Sequence, residues 1–172
     1  CHVFVAAAGY LRNVRIPYTV FVMQLVVRNL WVFLHQIVIF VPMVFLFHVP
    51  VSWCALLALP GLLLCAVTGF WLALLLGITA ARFRDVPPIA ASILGVAVYL
   101  TPVLWRPEML GDHARYLICN PFAHFLEIVR APLLGQMPDP WSWPISAGVS
   151  LVVMLVSLRT FVRYRGRIVF WI

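Results

Sequence analysis

The sequence predicts an all-α, polytopic integral membrane bundle on three observations. Of its 172 residues, 65% are hydrophobic and only 10% are charged, where a soluble domain carries about 25% charged residues. The apolar residues gather into four runs, each close to the roughly 20 residues a helix needs to cross a ~30 Å hydrocarbon layer. The cationic residues, all arginine, stand mostly at the ends of those runs, where membrane topology puts them.

The chain opens at Cys1 in mid-pattern and without the basic start of a signal peptide. It reads as a piece, residues 1–172, of one membrane domain that lacks its N-terminal portion. Residues 9–28 are expected to form a cytoplasmic connection carrying Arg12, Arg15 and Arg28. The predicted spans are 29–47, starting there or several residues earlier, 53–79, 88–104 and 143–160, with a long loop at 105–142 between the last two and a closing tail at 161–172. Pro42, Pro60 and Pro102 fall inside the spans and kink or break them, as neighbouring helices permit in a bilayer. Four crossings put nine of the twelve arginines on one side, opposed only by Asp85. Arg106, Arg115 and Arg130 lie on the other side with Glu108, Asp112, Glu127 and Asp139. The bias makes the arginine-rich side cytoplasmic.

The stretch "ARFRDVPPI" (81–89) joins the second and third spans on that side. Pro87 and Pro88 suit the first turn of a helix. Arg82, Arg84 and Asp85 either only orient the second span or form a docking loop for a cytoplasmic partner. In the long loop, "FAHFLEIVRAPLL" places Phe122, Phe125, Leu126 and Val129 on one helical face, with Glu127 and Arg130 spaced to pair. Asn120-Pro121 is a helix start, and Gly135 to Pro140 a turn. These signals predict one or two short amphipathic or re-entrant helices.

Several chemistries are excluded. The chain has no lysine, so it holds neither a Walker A loop nor a Schiff-base nucleophile. The arginines form no stripe on a polar face, which removes nucleic acid as a partner. Cys54 and Cys65 stand ~16 Å apart along one helix, too far for a disulfide. The spans contain no Asp, Glu or Lys, so an ion-coupled carrier loses its usual relay; His35, beside Gln36, reads as a polar contact between helices. Asp112, His113 and His124 lack metal-ligand spacing, and the serines lack a His-and-acid arrangement. Gly61, Cys65, Gly69, Ala73 and Gly77 make a ridge of small residues at a four-residue step, which predicts close packing within the subunit or against a second copy. Most tryptophans, Trp53 and Trp105 among them, read as an interfacial belt. Trp31, Phe33, Phe40 and Tyr99 are either part of that aromatic content or rings on which sugars stack along a path.

Taken together, "ARFRDVPPI", "YLTPVLW" (99–105), "NPFAHFLEIVRAPLLG" (120–135) and "RYRGRIVFWI" (163–172) resemble the membrane subunit of ABC exporters for bacterial surface polysaccharides. The likeness is nearest to O-antigen (lipopolysaccharide) export permeases, with capsule and teichoic-acid permeases as relatives. The resemblance implies six membrane helices, of which these are the last four. It also implies a bacterial inner-membrane location and a dimer of permeases bound to two ATP-binding subunits. No cofactor is expected in this chain, ATP and Mg belonging to the partner, and a lipid-linked glycan is the implied cargo. Carried onto this chain, "GYLRNVRIP" (9–17), with Arg12 and Arg15, and the loop of Arg82, Arg84 and Asp85 become contacts to the ATPase. Segment 107–135, with Pro107, Glu108, Asn120, Pro121, Phe122, Glu127 and Arg130, becomes an exit gate. The competing expectations are a permease for another lipid or drug, and a membrane enzyme acting on lipid-linked sugars through the loop carboxylates.

Overall fold

Among the residues the computed structural model describes, 17–46, 53–103, 105 and 117–171, every regular element is helical. Helix α1 is Tyr18–Leu46, α2 Ala58–Arg82 with a 3-10 turn Trp53–Leu57 ahead of it, and α3 Val86–Leu100. Helix α4 is Pro121–Leu133, α5 Ser142–Tyr164 and α6 Ile168–Trp171. Three segments are long and apolar enough to cross a membrane: Tyr18–Leu46, Trp53–Arg82 and Ser142–Tyr164. At 29 and 23 residues, α1 and α5 reach ~44 and ~34 Å against a ~30 Å hydrocarbon layer.

The helices differ from the apolar runs at their ends. α1 starts at Tyr18 rather than at residue 29, because Arg28 interrupts the apolar run without interrupting the helix. α3 stops at Leu100, four residues before the run ends, and its 15 residues reach only ~22 Å. Pro102 stops it: proline lacks an N–H and disfavours helical geometry in the residue before it. Thr101 N–H still bonds the Ala97 carbonyl at 2.9 Å, and Val103 N–H turns back to Thr101 O at 2.7 Å.

The chain divides into two compact units. The first comprises Cys1–Ile37, Ala66–Ala91 and Leu151–Ile172. Its core is Val22, Leu74, Ile78 and Ile168, wrapped by Tyr18, Phe70, Trp71, Phe161, Tyr164 and Trp171. Tyr18 and Phe161 meet edge to face with centroids 6.3 Å apart, the geometry the ring quadrupole favours. The C-terminal segment is part of this core: Arg167 N–H bonds Tyr164 O at 2.8 Å, turning α6 back so that Ile168 is fully buried.

The second unit comprises Val38–Cys65 and Ser92–Ser150. Here α4 packs on the 53–57 turn and on the start of α2. Pro132 cannot donate to the Ile128 carbonyl one turn earlier, and that freed oxygen faces Gly61. A Cβ at Gly61 would lie 2.6 Å from it, so only the glycine α-hydrogen fits, in the geometry of a weak Cα–H···O contact. Helix α4 ends in a Schellman motif: Gln136 N–H bonds Ala131 O at 2.9 Å and Gly135 N–H bonds Pro132 O at 3.0 Å, with Gly135 at φ 75°.

Burial within this chain follows neither the apolar face of α4 nor the full small-residue ridge of α2. The buried positions of α4 are His124, Ile128, Ala131 and Pro132, while Phe122, Phe125, Leu126 and Val129 are only partly buried or exposed. Close backbone approach through Gly61, rather than the largest side chains, decides which face goes in. The glycine ridge of α2 also does not act as one surface within this chain. Gly61 is tightly approached and Gly77 is buried, but a Cβ at Gly69 would meet nothing within 4 Å. A small-residue face is buried instead on α5, at Ser142, Ser146, Ser150 and Ser157.

Gly61→Ala is expected to weaken the docking of α4 by about 1–3 kcal/mol, the usual cost of overpacking, whereas Gly69→Ala is neutral or stabilising. Thermal unfolding of the two variants in detergent checks the contrast; equal effects would contradict the assigned packing.

Candidate functional site

The last carbonyls of any helix lack intrahelical donors, and in an apolar setting each orphan must find another partner. At the broken end of α3, side chains from outside the helix supply those donors. Trp105 Nε1–H donates to Tyr99 O at 2.9 Å. Asn120 Nδ2 donates to Leu100 O at 3.2 Å and to Thr101 Oγ1 at 3.2 Å. Arg130 Nη1 donates to Pro102 O at 2.7 Å, a cation placed where the helix dipole is negative. Asn120 has a second task, since its Oδ1 accepts Phe122 N–H at 3.0 Å and so caps the start of α4. One side chain therefore closes α3 and opens α4.

His124 braces the same helix. Its Nε2 lies 3.0 Å from Ile118 O and its Nδ1 3.0 Å from Ser142 Oγ. A carbonyl only accepts, so Nε2 carries the proton, and the neutral ring's Nδ1 accepts from the Ser142 hydroxyl. His124 and Ser142 are both buried. With a backbone carbonyl as the third member, the pair has no acid and serves to hold α4 against the start of α5.

A cavity of about 1010 Å³ opens beside this junction. Ile93, Val96 and Tyr99 of α3 line it, with Trp105, Asn120 and Phe122 opposite. The strong polar groups in its wall are already engaged: the Asn120 amide and the Trp105 indole N–H both serve the end of α3. What remains is apolar and aromatic surface, suited to an amphipathic or lipidic occupant.

Tyr99 thus joins Asn120, Pro121 and Phe122 at one cavity, uniting two groups that the sequence treats separately. Trp31 and Phe33 belong to the first unit and Phe40, in the second, does not line the cavity; Trp31 is 69% exposed. His35 and Gln36 are exposed on α1 and make no contact between helices among the described residues. Glu127 and Arg130 do not close an ion pair, since Arg130 turns to Pro102 O. Partial burial raises the Glu127 pKa above the usual 4.5, the nearby Arg130 charge opposing that rise. Arg12, Arg15, Pro107 and Glu108 lie outside the described residues. Three connections escape sequence reading: the double role of Asn120, the reach of Arg130 and the burial of His124. Only "NP" before an apolar run signals the first of them.

At the start of the 82–85 loop, the Arg82 guanidinium lies over three rings: Phe83 at 5.1 Å, Trp171 at 5.4 Å and Tyr164 at 6.0 Å. Arg84 and Asp85 are exposed, and their side chains have no partner among the described residues.

An apolar helical bundle with an interrupted helix, a lipid-compatible cavity and a basic loop has the make-up of a membrane transport subunit. Residues 11–134 match the ABC-2 type transporter family, and the chain belongs to that family. Comparison with curated proteins and with solved structures gives no match. In this family the chain is a membrane subunit of an ABC exporter, with ATP hydrolysis on a partner. The matched stretch contains α1 to α4, the 82–85 loop and the whole cavity lining.

Asn120→Asp retains the acceptor for Phe122 N–H but loses both donors to α3. Hydrogen exchange should speed up around residues 101–105, by the equivalent of about 1–3 kcal/mol for orphaned carbonyls, while 122–124 stay protected. Equal loss in both segments would refute the double cap. For Glu127 the raised pKa means that the folded state holds its proton more tightly than the unfolded one. Stability of the α4 region is therefore highest while Glu127 is protonated and falls as pH rises from the ordinary glutamate value through the raised one. Exchange protection of 121–133 followed from about pH 4 to 7 should decline, and Glu127→Gln should flatten the profile; a rise with pH would contradict it.

Proposed function

We propose that this chain is the permease of a bacterial inner-membrane ABC exporter that moves a lipid-linked, O-antigen-like polysaccharide outward. One observation carries the reading. "YLTPVLW" and "NPFAHFLEIVRAPLLG", two of the segments resembling polysaccharide export permeases, converge on a single apolar cavity through Tyr99, Trp105, Asn120 and Phe122. That wall receives the lipid portion of such a cargo, and the exposed Tyr99 ring offers a face on which a sugar stacks. Asn120 holds the exit-gate segment in place through its amide, and Arg130 does so through one of its five N–H donors.

In this reading the arginine-rich side faces the cytoplasm and the chain spans the membrane several times. It works as a pair of copies with two ATP-binding subunits, which hold ATP and Mg. Closure of those subunits acts on the 82–85 loop, where Arg84 and Asp85 offer unpaired charge to a complementary surface. Pro87 and Pro88 begin α3 directly after the loop, so displacement there enters a helix whose far end borders the cavity. A permease for another lipid is the second reading, favoured by the scarcity of uncommitted polar groups in the cavity wall.

Cells lacking the chain should lose surface polysaccharide and accumulate the lipid-linked glycan internally; unchanged surface glycan would overturn the substrate. Arg84→Glu should lower co-purification of the ATP-binding subunit by about fivefold or more while leaving membrane insertion intact. Full association would remove the loop from the interface.

A further inference from the structure

The aromatic setting of Arg82 has a use that charge alone does not explain. We propose that the C-terminal segment, through Tyr164 and Trp171, is a positioning element that clamps the 82–85 loop by holding Arg82. The inference rests on the reading of that loop as the contact to the ATP-binding subunit, and it deepens it.

Arg82 is the final residue of α2, so its direction sets the direction in which the loop leaves the helix. Its guanidinium stands 5.4 Å from the Trp171 ring and 6.0 Å from the Tyr164 ring, with the neighbouring Phe83 ring at 5.1 Å. All three distances fall within the ~6 Å over which a ring face attracts a cation. No carboxylate pairs with Arg82 among the described residues, so the rings are its partners.

The clamp is itself anchored. Tyr164 and Trp171 contact each other with centroids 5.6 Å apart. Between them Ile168 is fully buried in a cluster with Val22, Leu74 and Ile78. Leu74 and Ile78 lie about two turns and one turn, respectively, before Arg82 on the same helix. The C-terminal segment is thus fixed to the body of α2 by Ile168 and to its last residue by Tyr164 and Trp171. Phe83 N–H closes the helix onto Thr79 O at 2.8 Å.

The arrangement divides labour within the loop. Arg82, though exposed, is held over the aromatic rings, leaving Arg84 and Asp85 to meet a partner. A loop held this way passes on a push instead of swinging about the end of α2. Cation–π contact suits the task, because it fixes a guanidinium without adding an acidic residue beside the two charges offered to the partner.

The test uses the complete transporter, permease with its ATP-binding subunit, in nanodiscs for spectroscopy and in vesicles for transport. A nitroxide at position 86, where α3 begins beside the partner-facing charges, reports loop mobility in a chain cleared of its native cysteines, and exported cargo per ATP hydrolysed reports coupling. Trp171→Ala and Arg82→Gln should each mobilise the label and lower export per ATP by about fivefold, within the range known for coupling residues away from a ligand. Trp171→Phe should restore both readouts, which a mere requirement for bulk at the C-terminus in Trp171→Leu would not. Should Trp171→Ala misfold, Arg82→Gln, which leaves the core intact, decides alone. An unmoved label in Arg82→Gln, or restoration by Trp171→Leu, would overturn the clamp. Label release with unchanged export per ATP, and no effect of Arg84→Glu on association, would instead show that the clamp exists but that the loop is not the coupling contact.

Discussion

The structure of the second unit depends on one constraint: a helix that stops inside an apolar environment must have its terminal carbonyls satisfied. Pro102 stops α3 after 15 residues and leaves its last carbonyls in need of donors. Trp105, Asn120 and Arg130 deliver the missing donors. Because Asn120 caps the start of α4 and Arg130 lies in its last turn, the capping also fixes where α4 begins and how it lies. The cavity follows from the same cause, since its walls are the last turns of α3 and the first turn of α4 with the segment just before it.

A second proline extends the logic. Pro132 releases the Ile128 carbonyl, and the chain meets it with the bare backbone of Gly61. Packing at the glycine and bonding at the asparagine are two ways of handling backbone oxygens that proline has freed. In both places a sequence feature that looks like an interruption specifies a contact between segments far apart in the chain. His124, bridging Ile118 and Ser142, adds a third tie without placing a charge in the core.

The sequence makes the helical membrane class legible because composition and run length are averages over many residues, and no single contact overturns them. Helix ends are less legible. The apolar run continues through Thr101 to Leu104 and hides the stop, which lies in the backbone chemistry of Pro102. Apolar periodicity marks the face of Phe122, Phe125, Leu126 and Val129, but not that α4 packs on α2 through Ile128, where Gly61 allows a close approach. The partners of Asn120 and Arg130 stand about 20 and 28 residues away, beyond any local pattern. Likewise, nothing near "RFRD" announces that Trp171 will face its first arginine. The serine period at 142, 146 and 150 carries as much burial on α5 as the glycine spacing does on α2.

Both units show the same device, attachment of short segments to long helices. Arg82 is tied to the C-terminal rings in the first, and Asn120 ties α4 to α3 in the second. The most direct test of the central constraint is a double-mutant cycle between Thr101→Val and Asn120→Ala, read by reversible unfolding in micelles. The capping account predicts a coupling energy of about 0.5–1.5 kcal/mol between the two sites. Effects that simply add, within about 0.3 kcal/mol, would mean that Asn120 does not close the broken helix.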